Sequence, residues 1–94
     1  MDKLVVGIGF YRREQWPQLL ESAVDADILE KTYDDWLDVV DLSVDKITAQ
    51  GIEPRLVEVD IEDLLSFCSR ENLPNNARTR SKFVARLLKK TEDS

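Results

Sequence analysis

Leu4-Val5-Val6-Gly7-Ile8-Gly9-Phe10 is the stretch on which the fold turns. It is short, β-branched and apolar on both alternate sets of positions, which is the pattern of a strand covered on both faces. It reads as a buried, central strand. Gly7 and Gly9 carry no side chains and mark a place where another element approaches the backbone closely. Gly7-Ile8-Gly9 also matches the start of a dinucleotide-binding fingerprint. Arg12 stands where the third glycine belongs, however, and 94 residues leave no room for a full nucleotide fold. The glycines are therefore read as packing residues.

Working outward from this strand, Pro17 suits the first turn of a helix, and Trp16, Leu19, Leu20 and Ala23 recur at helical spacing. Thr32 with Asp35 three residues on resembles a capping box, and Gly51 stands where a helix C-terminal glycine belongs. The longest helix is thus expected over residues 33–50. Pro54-Arg55-Leu56-Val57-Glu58-Val59 reads as a second strand. Asp60 can cap a helix whose apolar face is Ile61, Leu64, Leu65 and Cys68, and Asn75 or Asn76 can cap a last helix ending near Lys90. Residues 91–94 are expected to be a frayed tail. The order strand, helix, helix, strand, helix, helix predicts a small, helix-rich α+β domain over residues 1–94, with a two-stranded sheet packed on about four helices. A crossover through two helices allows the strands to run parallel. Two strands alone make a weak sheet, so either helices cover it or a second subunit extends it.

Hydrophobic residues make up 43% of the chain and charged residues 34%, a globular balance. Cys68 is the single cysteine, so no internal disulfide can form and a reducing, cytoplasmic setting is expected. The apolar run before Tyr11-Arg12-Arg13 is too short for a signal peptide, and no stretch approaches about 20 apolar residues, so no membrane association is expected. A net charge of −6 disfavours whole-molecule affinity for nucleic acid or anionic lipid. The average conceals a split: residues 1–66 hold 6 Lys/Arg against 16 Asp/Glu, and residues 67–94 hold 7 against 3.

That split maps onto two helices. At about 100° per residue, Tyr33, Trp36, Leu37, Val40, Val44 and Ile47 share the core sector of the long helix, and Asp34, Asp38, Asp41 and Asp45 form an acidic ridge beside it. Val39 and Leu42 fall on its far side. On the last helix, Arg78, Lys82, Arg86, Lys89 and Lys90 gather opposite Phe83, Val84, Leu87 and Leu88. Each charged face can be a solvated surface or a docking surface. Arg80 falls on the apolar arc, where burial would require a carboxylate partner. A candidate pocket follows the first strand at Tyr11, Arg12, Arg13 and Trp16, with Arg80 as a possible member.

The sequence offers little for catalysis. It contains no histidine, which removes the commonest general base and the usual nitrogen ligand of zinc. Cys68 lies on an apolar helix face and reads as a buried structural thiol. Asp34-Asp35-Trp36-Leu37-Asp38 resembles the aspartate-rich DDxxD pattern of prenyl synthases, which are large all-helical enzymes with further aspartates on a facing helix. This chain supplies neither, and a cation held by one helix would stay mostly hydrated. No catalytic residue, metal or cofactor is expected. The leading expectation is a non-enzymatic interaction or regulatory module that associates with a protein partner or with itself as a homodimer. The alternatives are a small nucleic-acid-associated protein using the basic helix, and a ligand-binding protein or enzyme with a pocket near residues 10–16.

Overall fold

A computed structural model describes residues 4–93, with side chains described to residue 90. The elements run β1 (Val5–Phe10), α1 (Trp16–Ser22), α2 (Tyr33–Ala49), β2 (Glu53–Glu58), α3 (Ile61–Glu71) and α4 (Ala77–Asp93), with short 3₁₀ turns before and after α1. This is the α+β fold expected. The two strands pair in parallel, in a register running from Val5 opposite Glu53 to Phe10 opposite Glu58. Hydrogen bonds from the Glu53 N–H to the Leu4 carbonyl (2.8 Å) and from the Val59 N–H to the Phe10 carbonyl (2.9 Å) close the two ends. A parallel pair needs a long crossover, which α1 and α2 supply.

The helix boundaries follow from local chemistry. The Thr32 hydroxyl accepts the Asp35 N–H at 3.1 Å and starts α2. After α2 the chain turns at Gly51 with φ +78°, a backbone shape that suits glycine. One Asp60 carboxylate oxygen accepts the N–H groups of Glu62 (2.8 Å) and Asp63 (3.3 Å) at the start of α3. Asn72 ends that helix in the left-handed region, which asparagine tolerates better than most residues. Of the two candidate caps for α4, Asn76 serves, accepting the Thr79 N–H at 3.0 Å. α4 runs to Asp93, three residues beyond the end expected near Lys90, because Thr91-Glu92-Asp93 contains no glycine or proline to stop it. Ser94 lies outside the described residues.

The sheet is a layer between helices. Alternate residues of a strand face opposite sides. A Cβ on Gly7 would lie 3.1 Å from Val84 and 3.2 Å from Leu88, and one on Gly9 would lie 2.9 Å from Val84, so the glycines admit α4 against this face. Phe10, of the other parity, meets Trp36 of α2 with ring centroids 5.5 Å apart. Thus α4 and α2 flank opposite faces. The expectation of a central strand is corrected: β1 is one of two edge strands in a two-stranded sheet. The expectation of a buried strand is corrected with it: helices lie above and below but cover the sheet incompletely, so no residue of β1 is buried and Val6 and Leu56 remain exposed.

The core has two sectors. At the C-terminal end of β1, Tyr11, Trp16 and Trp36 are buried and Tyr33 packs beside them, with Trp16 stacked on Trp36 at 5.1 Å. The second sector joins α3 to α4 through buried Ile61, Leu64, Phe67, Phe83 and Val84. Phe67, which the periodicity reading left off the apolar face, is among the most buried side chains.

Candidate functional site

Arg80 lies on α4 with its side chain only 8% exposed, and the burial is compensated by partners on both terminal nitrogens. Its two terminal nitrogens grip Asp25 in a fork, Nη1 to Oδ1 at 2.9 Å and Nη2 to Oδ2 at 2.8 Å. Nη1 also donates to the Asn75 side-chain oxygen at 3.0 Å. Asn75 in turn donates to the Ser22 hydroxyl at 3.1 Å, and Asp25 accepts the Ala77 N–H at 2.9 Å. The end of α1, the loop after it and the start of α4 are therefore locked together. Hydrogen bonding to Arg80 holds the Asp25 carboxyl below its ordinary pKa, against the opposing effect of its partial burial.

A groove of about 430 Å³ runs between β1 and α4, and Tyr11 and Arg80 both line it. Burial pushes the Tyr11 phenol up to about 12, opposed by the nearby Arg80 charge. The other three candidate pocket residues lie elsewhere. Arg12 pairs with Glu58 on the surface. Arg13 pairs with Asp34 at 2.7 Å and lies over the Tyr33 ring at 4.8 Å. Trp16 is sealed in the aromatic sector, its indole N–H buried without an acceptor among the described residues. Two of the five residues share a groove, then, and the charged one is already bound to Asp25 and Asn75.

The charged helices present a different arrangement. Asp38, Asp41 and Asp45 are exposed on α2, and among the described residues they enter no ion pair; only Asp34 of the ridge is paired, with Arg13. Val39 and Leu42 are exposed on the same helix. On α4, Arg78, Lys82, Lys89 and Lys90 are exposed, and Arg86 contacts Glu71 at 3.4 Å while lying over the Phe67 ring at 4.9 Å. Among the described residues no ion pair joins the acidic ridge to this basic set, as expected for helices on opposite faces of the sheet.

Between α3 and α4 lies a groove of about 410 Å³ that sequence reasoning missed. Phe67, Phe83 and Leu87 line it, the two rings 5.1 Å apart, and Arg70, Arg86, Lys89 and Lys90 surround them. Phe67 falls three residues after Leu64, so helical spacing could have placed it on the buried arc. Its pairing with Phe83 depends on how two helices cross, which spacing does not encode.

Cys68 is buried and free, and burial raises its thiol pKa. Among the described residues no group of three or more His, Cys, Asp or Glu side chains is placed to hold a metal ion, and no helix is long and apolar enough to cross a membrane. Comparison with known proteins finds no matching protein family, curated protein or solved structure.

Proposed function

We propose that this chain is a small non-enzymatic protein-interaction or regulatory module, working in the cytoplasm, that associates through its charged helical faces with itself or with a protein of complementary charge. One observation carries the reading. Asp38, Asp41 and Asp45 on one side of the sheet, and Lys82, Lys89 and Lys90 on the other, are exposed and have no ionic partners among the described residues. Like charges at spacings of three and four weaken a helix by a few tenths of a kcal/mol per pair, so the acidic face, and the Arg78–Lys82 pair on α4, cost stability that an oppositely charged partner would restore. The pocket reading has less support, because Arg80 is consumed by structural bonds. The lone buried thiol suits a reducing compartment.

The test is light scattering at low and high ionic strength. The expected mass exceeds that of the 10.8 kDa monomer at low salt and falls toward it as salt screens the faces. A protein that stays monomeric and insensitive to salt removes self-association. A second reading, contact with nucleic-acid phosphates through the basic helix, is favoured only by the exposure of Arg78, Lys82, Lys89 and Lys90. It predicts oligonucleotide binding that weakens steeply with salt.

A further inference from the structure

Leu42 is an apolar side chain that folding leaves wet. It is 65% exposed on the outer surface of α2. Asp38 lies one turn before it and Asp45 one turn after, with Asp41 alongside. The groove between α3 and α4 has the inverse chemistry: half-buried Leu87 forms its floor over the buried Phe67 and Phe83 rings, 1% and 7% exposed, inside a rim of cations. Among the described residues Arg70, Lys89 and Lys90 enter no ion pair, just as the three aspartates around Leu42 enter none.

We propose that this groove seats the outer face of α2 from a second copy of the chain. Leu42 lies against Leu87 and the aliphatic stems of the rim, above the buried Phe67 and Phe83 rings, and leaves water. The aspartates around it meet the Arg70, Lys89 and Lys90 rim. The inference rests on the interaction-module reading and adds to it the partner and the seat. Charge complementarity selects the occupant, because a knob ringed by carboxylates meets a hole ringed by ammonium and guanidinium groups.

The topology sets the form of the assembly. Since α2 and α4 flank opposite faces of the sheet, the knob and the hole of one chain point apart and are joined only between chains. Such a contact is heterologous, so each copy keeps a free knob or a free hole, and growth continues unless the rotation between copies closes a ring. One helix face against one groove is a small interface, so the association is weak and fast, strengthened by steering at low salt.

Two variants test this, each altered at exposed positions: Leu42→Arg, which spoils the knob, and Lys89→Glu with Lys90→Glu, which spoils the rim. Circular dichroism checks that both fold. In sedimentation velocity at low salt, on the order of 20 mM, the wild type is expected to gain mass with concentration. Each variant alone is expected to associate roughly tenfold more weakly or not at all. Mixed in equal amounts, the intact groove of the first takes the intact α2 face of the second, giving a heterodimer that grows no further. If the wild type associates but the mixture stays monomeric, the seat is wrong while the interaction reading stands. If the wild type remains a salt-insensitive monomer up to about 1 mM, both fail. Should the double glutamate variant instead lose salt-dependent binding to a single-stranded oligonucleotide that the wild type binds, the groove belongs to nucleic acid and the proposal is overturned.

Discussion

Arg80 meets Asp25 at 2.8 Å and Arg13 meets Asp34 at 2.7 Å, yet the first pair has side chains 8% and 16% exposed and the second 63% and 75%. Distance does not distinguish them; solvent does. Around the buried pair every contact replaces one with water, so Asn75, Ser22 and the Ala77 N–H had to be recruited to complete it. Around the exposed pair, water already solvates both charges and dissolved salt screens them. The comparison separates charges that organise the fold from charges that remain available at the surface, and only the second kind can recognise a partner.

The largest expected effect comes from breaking the buried pair. Arg80→Ala leaves Asp25 partly buried without its cation and strips Asn75 of a donor, and loss of one partner from such a pair costs about 3–5 kcal/mol. A chain of 94 residues has total stability on the order of 5–14 kcal/mol, so the variant is expected to be near unfolding at 37 °C. Urea denaturation measures the loss. An Arg80→Ala midpoint within error of the wild type would show that the clamp contributes nothing and that the contrast between the two pairs is empty.

Acid sharpens the same contrast with a smaller effect, because a protonated Asp25 still accepts hydrogen bonds. The folded carboxyl is held below its ordinary pKa, chiefly by hydrogen bonding to Arg80. A group depressed in this way binds its proton more readily in the unfolded chain, where an aspartate titrates near 3.9. Its stabilisation is therefore fully present above about pH 4 and is lost as pH falls through the folded value. The stability difference between wild type and Asp25→Asn, followed by thermal unfolding, should hold steady above about pH 4 and shrink below it. A difference that stays constant through the acid range would mean that the Asp25 charge plays no part.

The legibility of these features in the sequence follows from how far apart their parts lie along the chain. Thr32, Asp60 and the two glycines of β1 act on neighbours or on a whole face, and local pattern was enough to place them. Arg80 was conspicuous as a charge on an apolar arc, but its partner lies 55 residues away in a loop with no periodicity, so Asp25 carried no signal. The aromatic and basic cluster after β1 was misleading for the opposite reason. Phe10, Tyr11, Arg12, Arg13 and Trp16 are close in sequence, but the chain leaves the strand after Phe10 and turns, so the rings pack inward while the arginines reach Glu58 and Asp34 at the surface. The charged ridges were legible because helix geometry fixes them. Their lying on opposite faces was not, because it depends on which side of the sheet each helix crosses.

The smallest effect belongs to the exposed pair. Arg13→Ala removes the contact with Asp34 and the guanidinium lying over Tyr33 at 4.8 Å, each worth under about 1 kcal/mol at a solvated site. A double-mutant cycle with Asp34→Ala isolates the ionic part, since the ring contact survives in the Asp34→Ala background. Its coupling energy is expected to be a few tenths of a kcal/mol and to fall as salt is raised. A coupling above about 2 kcal/mol that resists salt would place Arg13–Asp34 in the same energetic class as Arg80–Asp25. The first residue of the acidic ridge, Asp34, would then be structural, and Asp38, Asp41 and Asp45 would remain as its free portion, the segment that surrounds Leu42.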